Sequence, residues 1–238
     1  MNIVDVLFTD VETAAQYKTF DEVPDNFKKL WSRQVRQSYR DLLPDGTDTE
    51  NIPQDVLATM YIKKAALHAE FAKIVCLSVG KFVDNGDGKD PTLKVRSFTG
   101  EEVTLLKIFG QAADKAKALC AHNGKKFDFP FLARRSVINS LPIHILLDVR
   151  GAKPWEVTNI DTQECWRFGD MVYPSLALLC AVLGLEGKDD LDGSEIHNAY
   201  YSGNIAKVGS HCSQDVVALA KVYVKLVLNK TVDNVVVL

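Results

Sequence analysis

Short apolar runs and helix-spaced apolar stripes alternate along the chain. The first run, Ile3-Val4-Asp5-Val6-Leu7, predicts a buried strand bounded by polar residues. After an irregular connection over residues 14–24, residues 25–43 place Phe27, Leu30, Trp31 and Val35 at helical spacing. Lys28, Lys29, Arg33, Arg36 and Arg40 supply much of that helix's remaining surface, as charges on a solvated face do. The break Pro44-Asp45-Gly46-Thr47-Asp48 precedes a second helix, from near Pro53 toward Phe71. Ile74-Val75-Cys76-Leu77-Ser78-Val79-Gly80 reads as a central strand and residues 93–98 as a third, joined by a hairpin around Asn85-Gly86. That connection is acidic and glycine-rich, but it lacks the spacing and closing glutamate of an EF-hand. A helix over 101–118, with Val103, Leu106, Phe109 and Ala113 inward, leads to a short strand ending at Asn123-Gly124 and a helix opening near Asp128. A strand over 143–147 is expected to end at Asp148, read as structural or solvated. The last long helix turns Val216, Leu219, Ala220 and Tyr223 inward. The pattern implies an α/β mixed sheet flanked by helices, with residues 1–238 forming one domain.

Composition narrows the class. The chain of 238 residues is 47% hydrophobic and 25% charged, as a soluble globular protein is. No apolar run approaches the roughly 18 residues of a membrane span, and the first residues lack a basic n-region, so neither membrane association nor a signal peptide is expected. Cys76, Cys120, Cys165, Cys180 and Cys212 are odd in number, widely spaced and without C-x-x-C, which reads as free thiols in a reducing, cytoplasmic setting. A net charge of -3 neither advertises nor forbids nucleic-acid binding, because local basic faces and bound metal decide the field at a site.

Three stretches carry candidate chemistry. In Phe8-Thr9-Asp10-Val11-Glu12-Thr13 the two acids are two apart, so an extended strand presents them on one face. At a strand end they are either solvated acids or ligands of a divalent cation. In the second, Asn123-Gly124-Lys125-Lys126-Phe127-Asp128, the aspartate is either a helix cap or an acid set among Lys125, Lys126, Arg134 and Arg135. In the third, His211 and Asp215 stack four apart on one helix face, either as an exposed pair or as part of a site.

Taken together these stretches resemble the DEDD superfamily of 3′–5′ exonucleases. Its D-x-E motif is met by Asp10 and Glu12, and N-x-x-x-F-D by Asn123, Phe127 and Asp128. Its third motif, an acid preceded by a proton-accepting side chain, is met by Asp215 and His211. The resemblance spans about residues 3–226. The segment Asn159-Ile160-Asp161-Thr162, a helix over 176–185 and residues 188–194 resemble stand-alone bacterial relatives of the family-B polymerase proofreading domain. The third motif departs in one respect: spacing four usually carries tyrosine, and histidine usually stands five before the acid. His122 reads as structural.

The resemblance implies a ribonuclease H-like fold and a metal-dependent 3′–5′ exonuclease. Asp10, Glu12, Asp128 and Asp215 would hold two divalent ions, Mg²⁺ or Mn²⁺, that activate water and stabilise the leaving 3′ oxygen. His211, whose ordinary pKa is about 6.5, would orient or deprotonate that water. The backbone around Thr13, with Asn123 and Phe127, would position the terminal nucleotide. The implied partner is a single-stranded 3′ end, DNA favoured over RNA. Two rivals keep the same fold: a non-catalytic nucleic-acid-binding module and a phosphodiesterase of very short oligonucleotides.

Overall fold

The computed structural model describes residues 1–86, 88–186 and 193–238, so the expected likeness at residues 188–194 lies mostly outside the described residues. Its centre is a mixed sheet. Strand β1 (Val6–Ala15) pairs antiparallel with β2 (Ala72–Val83), which pairs antiparallel with β3 (Thr92–Thr99). On its other side β1 runs parallel to β4 (Ala118–Ala121), and β4 runs parallel to β5 (Ile160–Asp161). Strand β6 (Val235–Val237) joins parallel to β3, giving the order β5-β4-β1-β2-β3-β6. The α/β class and the antiparallel β2–β3 hairpin agree with the sequence pattern. Around Gly86, at φ +70°, the Asp84 carboxylate accepts the Gly86 N–H, which is turn chemistry.

Two layers cover the sheet because β1 alternates. Val6 and Phe8 pack against α6 (Leu176–Val182) and α8 (Ile205–Tyr223), where Leu179, Val216, Leu219 and Tyr223 are buried. Leu7 and Val11 face the opposite layer, α3 (Glu102–Ala113) and α4 (Asp128–Ile138), through Leu105, Phe109, Phe129 and Leu132. The even-numbered positions of β1 therefore look at α8, and Asp10 and Glu12 are even. A separate cluster joins α1 (Asp25–Ser38) to α2 (Gln54–Lys64), with Trp31 at its centre donating to the Leu57 carbonyl at 3.1 Å. Among the described residues the further α-helices are α5 (Thr162–Arg167) and α7 (Gly193–Tyr201).

Local expectations are corrected in three places. Residues 3–5 form a 3-10 turn, and β1 starts at Val6 and continues to Ala15, so Asp10 and Glu12 lie within a long strand and not at its tip. The strand continues because Thr13, Ala14 and Ala15 keep pairing with β2 beyond a bulge between Glu12 and Thr13. Residues 143–147 form no strand. Local bonds from Leu147 N–H to the His144 carbonyl and from Leu146 N–H to His144 Nδ1 close turns there, and Asp148 pairs with exposed Arg150 at 2.7 Å. In α1, Trp31 and Val35 are buried but Leu30 is exposed, so the helix buries a narrower stripe than its spacing predicts.

Arg135, read from sequence among the cations near Asp128, is instead structural. Its guanidinium is buried and grips Glu102 with two bonds of 2.8 and 2.6 Å, and it donates to the Ala69 carbonyl at 2.8 Å. Glu102 also accepts the Ile74 N–H of β2 and the Asn139 side chain. The pair thus ties α3 and α4 to the sheet. Arg135→Ala leaves a buried carboxylate without its counter-charge, which costs about 3–5 kcal/mol. We expect a drop in Tm of at least about 6 °C; a smaller change in calorimetry refutes this role.

Candidate active site

The candidate site forms where β1 outruns β4. Among the described residues β4 pairs with β1 only at Val6, Leu7 and Phe8. Beyond that point the β1 edge needs another acceptor, and Asp128, the first residue of α4, supplies it: its Oδ1 accepts the Val11 N–H at 3.3 Å. Asp128 is therefore not a capping residue of its own helix. Its side chain reaches across 117 positions to the strand segment between Asp10 and Glu12.

From the other side of the sheet α8 presents three side chains to β1. His211 Nε2 lies 3.6 Å from Glu12 Oε1 and 3.8 Å from Asp215 Oδ2. Ligand atoms of Glu12, His211 and Asp215 all lie within 4.8 Å of one another, and so do those of Asp10, Glu12 and Cys212. Helical spacing explains the set: positions 211, 212 and 215 share the buried side that Val216 and Leu219 anchor on the sheet. His211 and Asp215 are buried, which excludes the exposed helix pair that their spacing also allowed.

Carboxylates gathered this closely disfavour ionisation. Burial, then the neighbouring charge of Asp10, holds the Asp128 carboxyl well above its usual range. Three of the four cations expected around it point elsewhere: Lys125 pairs with Glu164 at 2.7 Å, Lys126 lies over the Tyr173 ring and Arg135 grips Glu102, while Arg134 lines a cavity along α4. A divalent cation would resolve the repulsion, and the donors fit a hard one, being carboxylate oxygens with one imidazole nitrogen. Glu12 thus links Asp10 to His211 and Asp215, and Asp128 joins from α4 through the Val11 N–H and the neighbouring charge of Asp10.

Cys212 was not anticipated beyond being a free thiol. It is fully buried beneath Asp10, and its Sγ donates to Asp10 Oδ2 at 3.3 Å and to the Asp10 carbonyl at 3.5 Å. Burial, contact with Cys76 and the Asp10 charge push the thiol up, so it stays protonated and acts as a donor that steadies the carboxylate. Its position beside His211 in the third motif was the available signal.

The other expected residues divide. The Thr13 hydroxyl donates to the Ala66 carbonyl at 2.7 Å, so only its backbone faces the task assigned to it. Asn123 adopts φ +60° at the end of β4, where its carbonyl accepts the N–H groups of Lys126 and Phe127. Phe127 is partly buried and packs on Phe131, with ring centroids 5.3 Å apart. Asp161 and Asn159 are buried braces. Asp161 accepts from the backbone of Asn123, Lys125 and Gln163, and Asn159 accepts from Leu119. His122 is held between the Thr162 hydroxyl and the Pro174 carbonyl, as a structural histidine.

A six-stranded mixed sheet with helices on both faces and acids converging from β1, α4 and α8 defines an α/β protein of the ribonuclease H-like, polymerase-exonuclease type. The chain belongs to the family described as "predicted 3'-5' exonuclease related to the exonuclease domain of PolB", whose model matches residues 64–234. Asp128, His211 and Asp215 fall inside the matched segment, whereas Asp10 and Glu12 precede it. Among solved structures, the chain is similar to the family B DNA polymerase from the hyperthermophilic archaeon Pyrobaculum calidifontis, with a TM-score of 0.52 and 14% identity. The likeness covers 94% of this chain but 24% of the polymerase, and at that identity it speaks for the fold alone. No curated protein matches the chain.

Proposed function

We propose that the protein is a metal-dependent 3′–5′ exonuclease that releases nucleotides from single-stranded ends, DNA in preference to RNA. The observation that carries the reading is the convergence of acids from β1, α4 and α8 on one point, with His211 Nε2 facing two of them. Asp10, Glu12, Asp128 and Asp215 would hold two divalent ions, Mg²⁺ or Mn²⁺. When bound, such ions supply Lewis-acid chemistry, polarising the phosphodiester and lowering the pKa of water. The chain's own residues do the rest. His211, whose Nε2 lies near Glu12 and Asp215, would accept a proton from the attacking water. Cys212 keeps the Asp10 carboxylate oriented, and the Val11 N–H does the same for Asp128. The Thr13 backbone, Asn123 and Phe127 would position the terminal nucleotide. We read residues 1–238 as one such domain.

The direct test is incubation with labelled single-stranded DNA and RNA, with Mg²⁺, Mn²⁺ or EDTA, scored for stepwise shortening from the 3′ end. Binding without shortening would favour a non-catalytic module, and cleavage confined to the shortest substrates an oligonucleotide phosphodiesterase. His211→Ala is expected to lower kcat by about 10²–10⁴-fold, the usual worth of a positioned base, with metal binding retained. An unchanged rate removes His211 from the chemistry and spares the acids.

A further inference from the structure

Outside the acid cluster, an exposed turn follows α5. We propose that this turn is a stacking and phosphate-binding platform for the unpaired strand, with Phe168 taking a base and Lys126 and Arg167 taking phosphate. The proposal rests on the exonuclease reading, whose substrate it helps to place.

Four observations lead there. Phe168 is 87% exposed and sits at φ +45°, a left-handed conformation that bulky residues avoid. Met171 and Tyr173 of the same turn are 70% and 47% exposed, so the turn presents several apolar side chains to solvent. The patch carries charge: the Lys126 ammonium and the Arg167 guanidinium lie 4.2 and 4.8 Å from the centroid of the Tyr173 ring. The turn is also braced. Arg167 donates to the Asp170 carbonyl and the Met171 sulfur, Asp170 accepts the Met171 N–H, and the Pro174 carbonyl accepts from His122 and Gln163.

Position and charge select the occupant. Lys126 stands two residues before Asp128, in the connection from β4 to α4, so the backbone that carries a cation of the patch is the one that leads to Asp128. An exposed apolar ring on a hydrogen-bonded turn that also carries cations around Tyr173 matches what single-stranded nucleic acid requires: a π-face for a base and positive charge for the backbone. The larger apolar cavity along α4, lined by Phe129, Ala133 and Val137, suits such a strand less well. Of the three cations along it, Lys125 and Arg150 already pair with Glu164 and Asp148, which leaves Arg134, whereas Arg167 donates to the Asp170 carbonyl and the Met171 sulfur, both neutral acceptors, and Lys126 stands beside it over the Tyr173 ring.

The test measures binding apart from cleavage, by anisotropy of a labelled single strand of roughly 12 nucleotides on an Asp128→Asn background with Mg²⁺. Adding Phe168→Ala should weaken the affinity by roughly 5- to 140-fold, the range for losing one base–aromatic stack; Phe168→Trp should restore it. Lys126→Gln should flatten the plot of log affinity against log salt by about 0.7, one phosphate's share. With Asp128 intact, Phe168→Ala should raise KM and leave kcat unchanged. Equal affinity in the Phe168→Ala protein overturns the platform and leaves the patch to a protein partner, while a wild-type protein that still shortens DNA keeps the exonuclease reading. Phe168-dependent binding by a chain that cleaves nothing supports the platform and sinks the exonuclease reading.

Discussion

Asp128→Asn should abolish the proposed nucleotide release and, in EDTA, should make the protein more stable. Both effects follow from one placement. The carboxylate is 4% exposed and lies beside Asp10, so folding buries a charge that water would rather keep. Asparagine retains an oxygen to accept the Val11 N–H but carries no charge. Because the folded-state pKa of Asp128 is raised, the metal-free wild type binds a proton that the unfolded chain releases. Its stability should therefore fall as pH rises from about 4, the ordinary carboxylate value, through the raised one. The variant should lack that component and melt several degrees higher at neutral pH. Activity should drop by about 10³-fold or more, because a metal ligand is worth several kcal/mol of transition-state stabilisation. Asp215→Asn should be equally inactive. Substantial activity in either variant, or an Asp128→Asn protein less stable than wild type in EDTA, would contradict the assignment.

Divalent metal should reverse the order of stability. A ligand that binds only the folded chain stabilises it by about 2.7 kcal/mol at a hundred times its Kd. For a domain of this size that corresponds to a rise in Tm of roughly 5–10 °C. We expect such a rise with millimolar Mn²⁺ or Mg²⁺ against a control of matched ionic strength, and little of it in Asp10→Asn or Asp128→Asn. Wild type with metal should then exceed the variant that it trails in EDTA. If saturating Mn²⁺ leaves the melting curve of the wild type unmoved, the acid cluster is not a metal site.

The sequence by itself determined the parts. Period-two spacing put Asp10 and Glu12 on one face, period-3.6 spacing put His211 and Asp215 on another, and the apolar run before Asn123 marked a strand leading into the helix of Asp128. Those are local properties, legible because backbone geometry repeats over a few residues. It left open whether Asp128 caps its own helix and where Arg135 points. Nor did it show that β1 runs past its acids or that residues 143–147 close into turns. Only the tertiary structure decided these, since each depends on partners distant along the chain. Asp128 meets Val11 across 117 positions, Arg135 meets Glu102 across 33 and Cys212 meets Asp10 across 202. Such contacts are set by which side of the sheet each helix buries. A spacing rule describes the face of one element, and only packing chooses the surface that face meets.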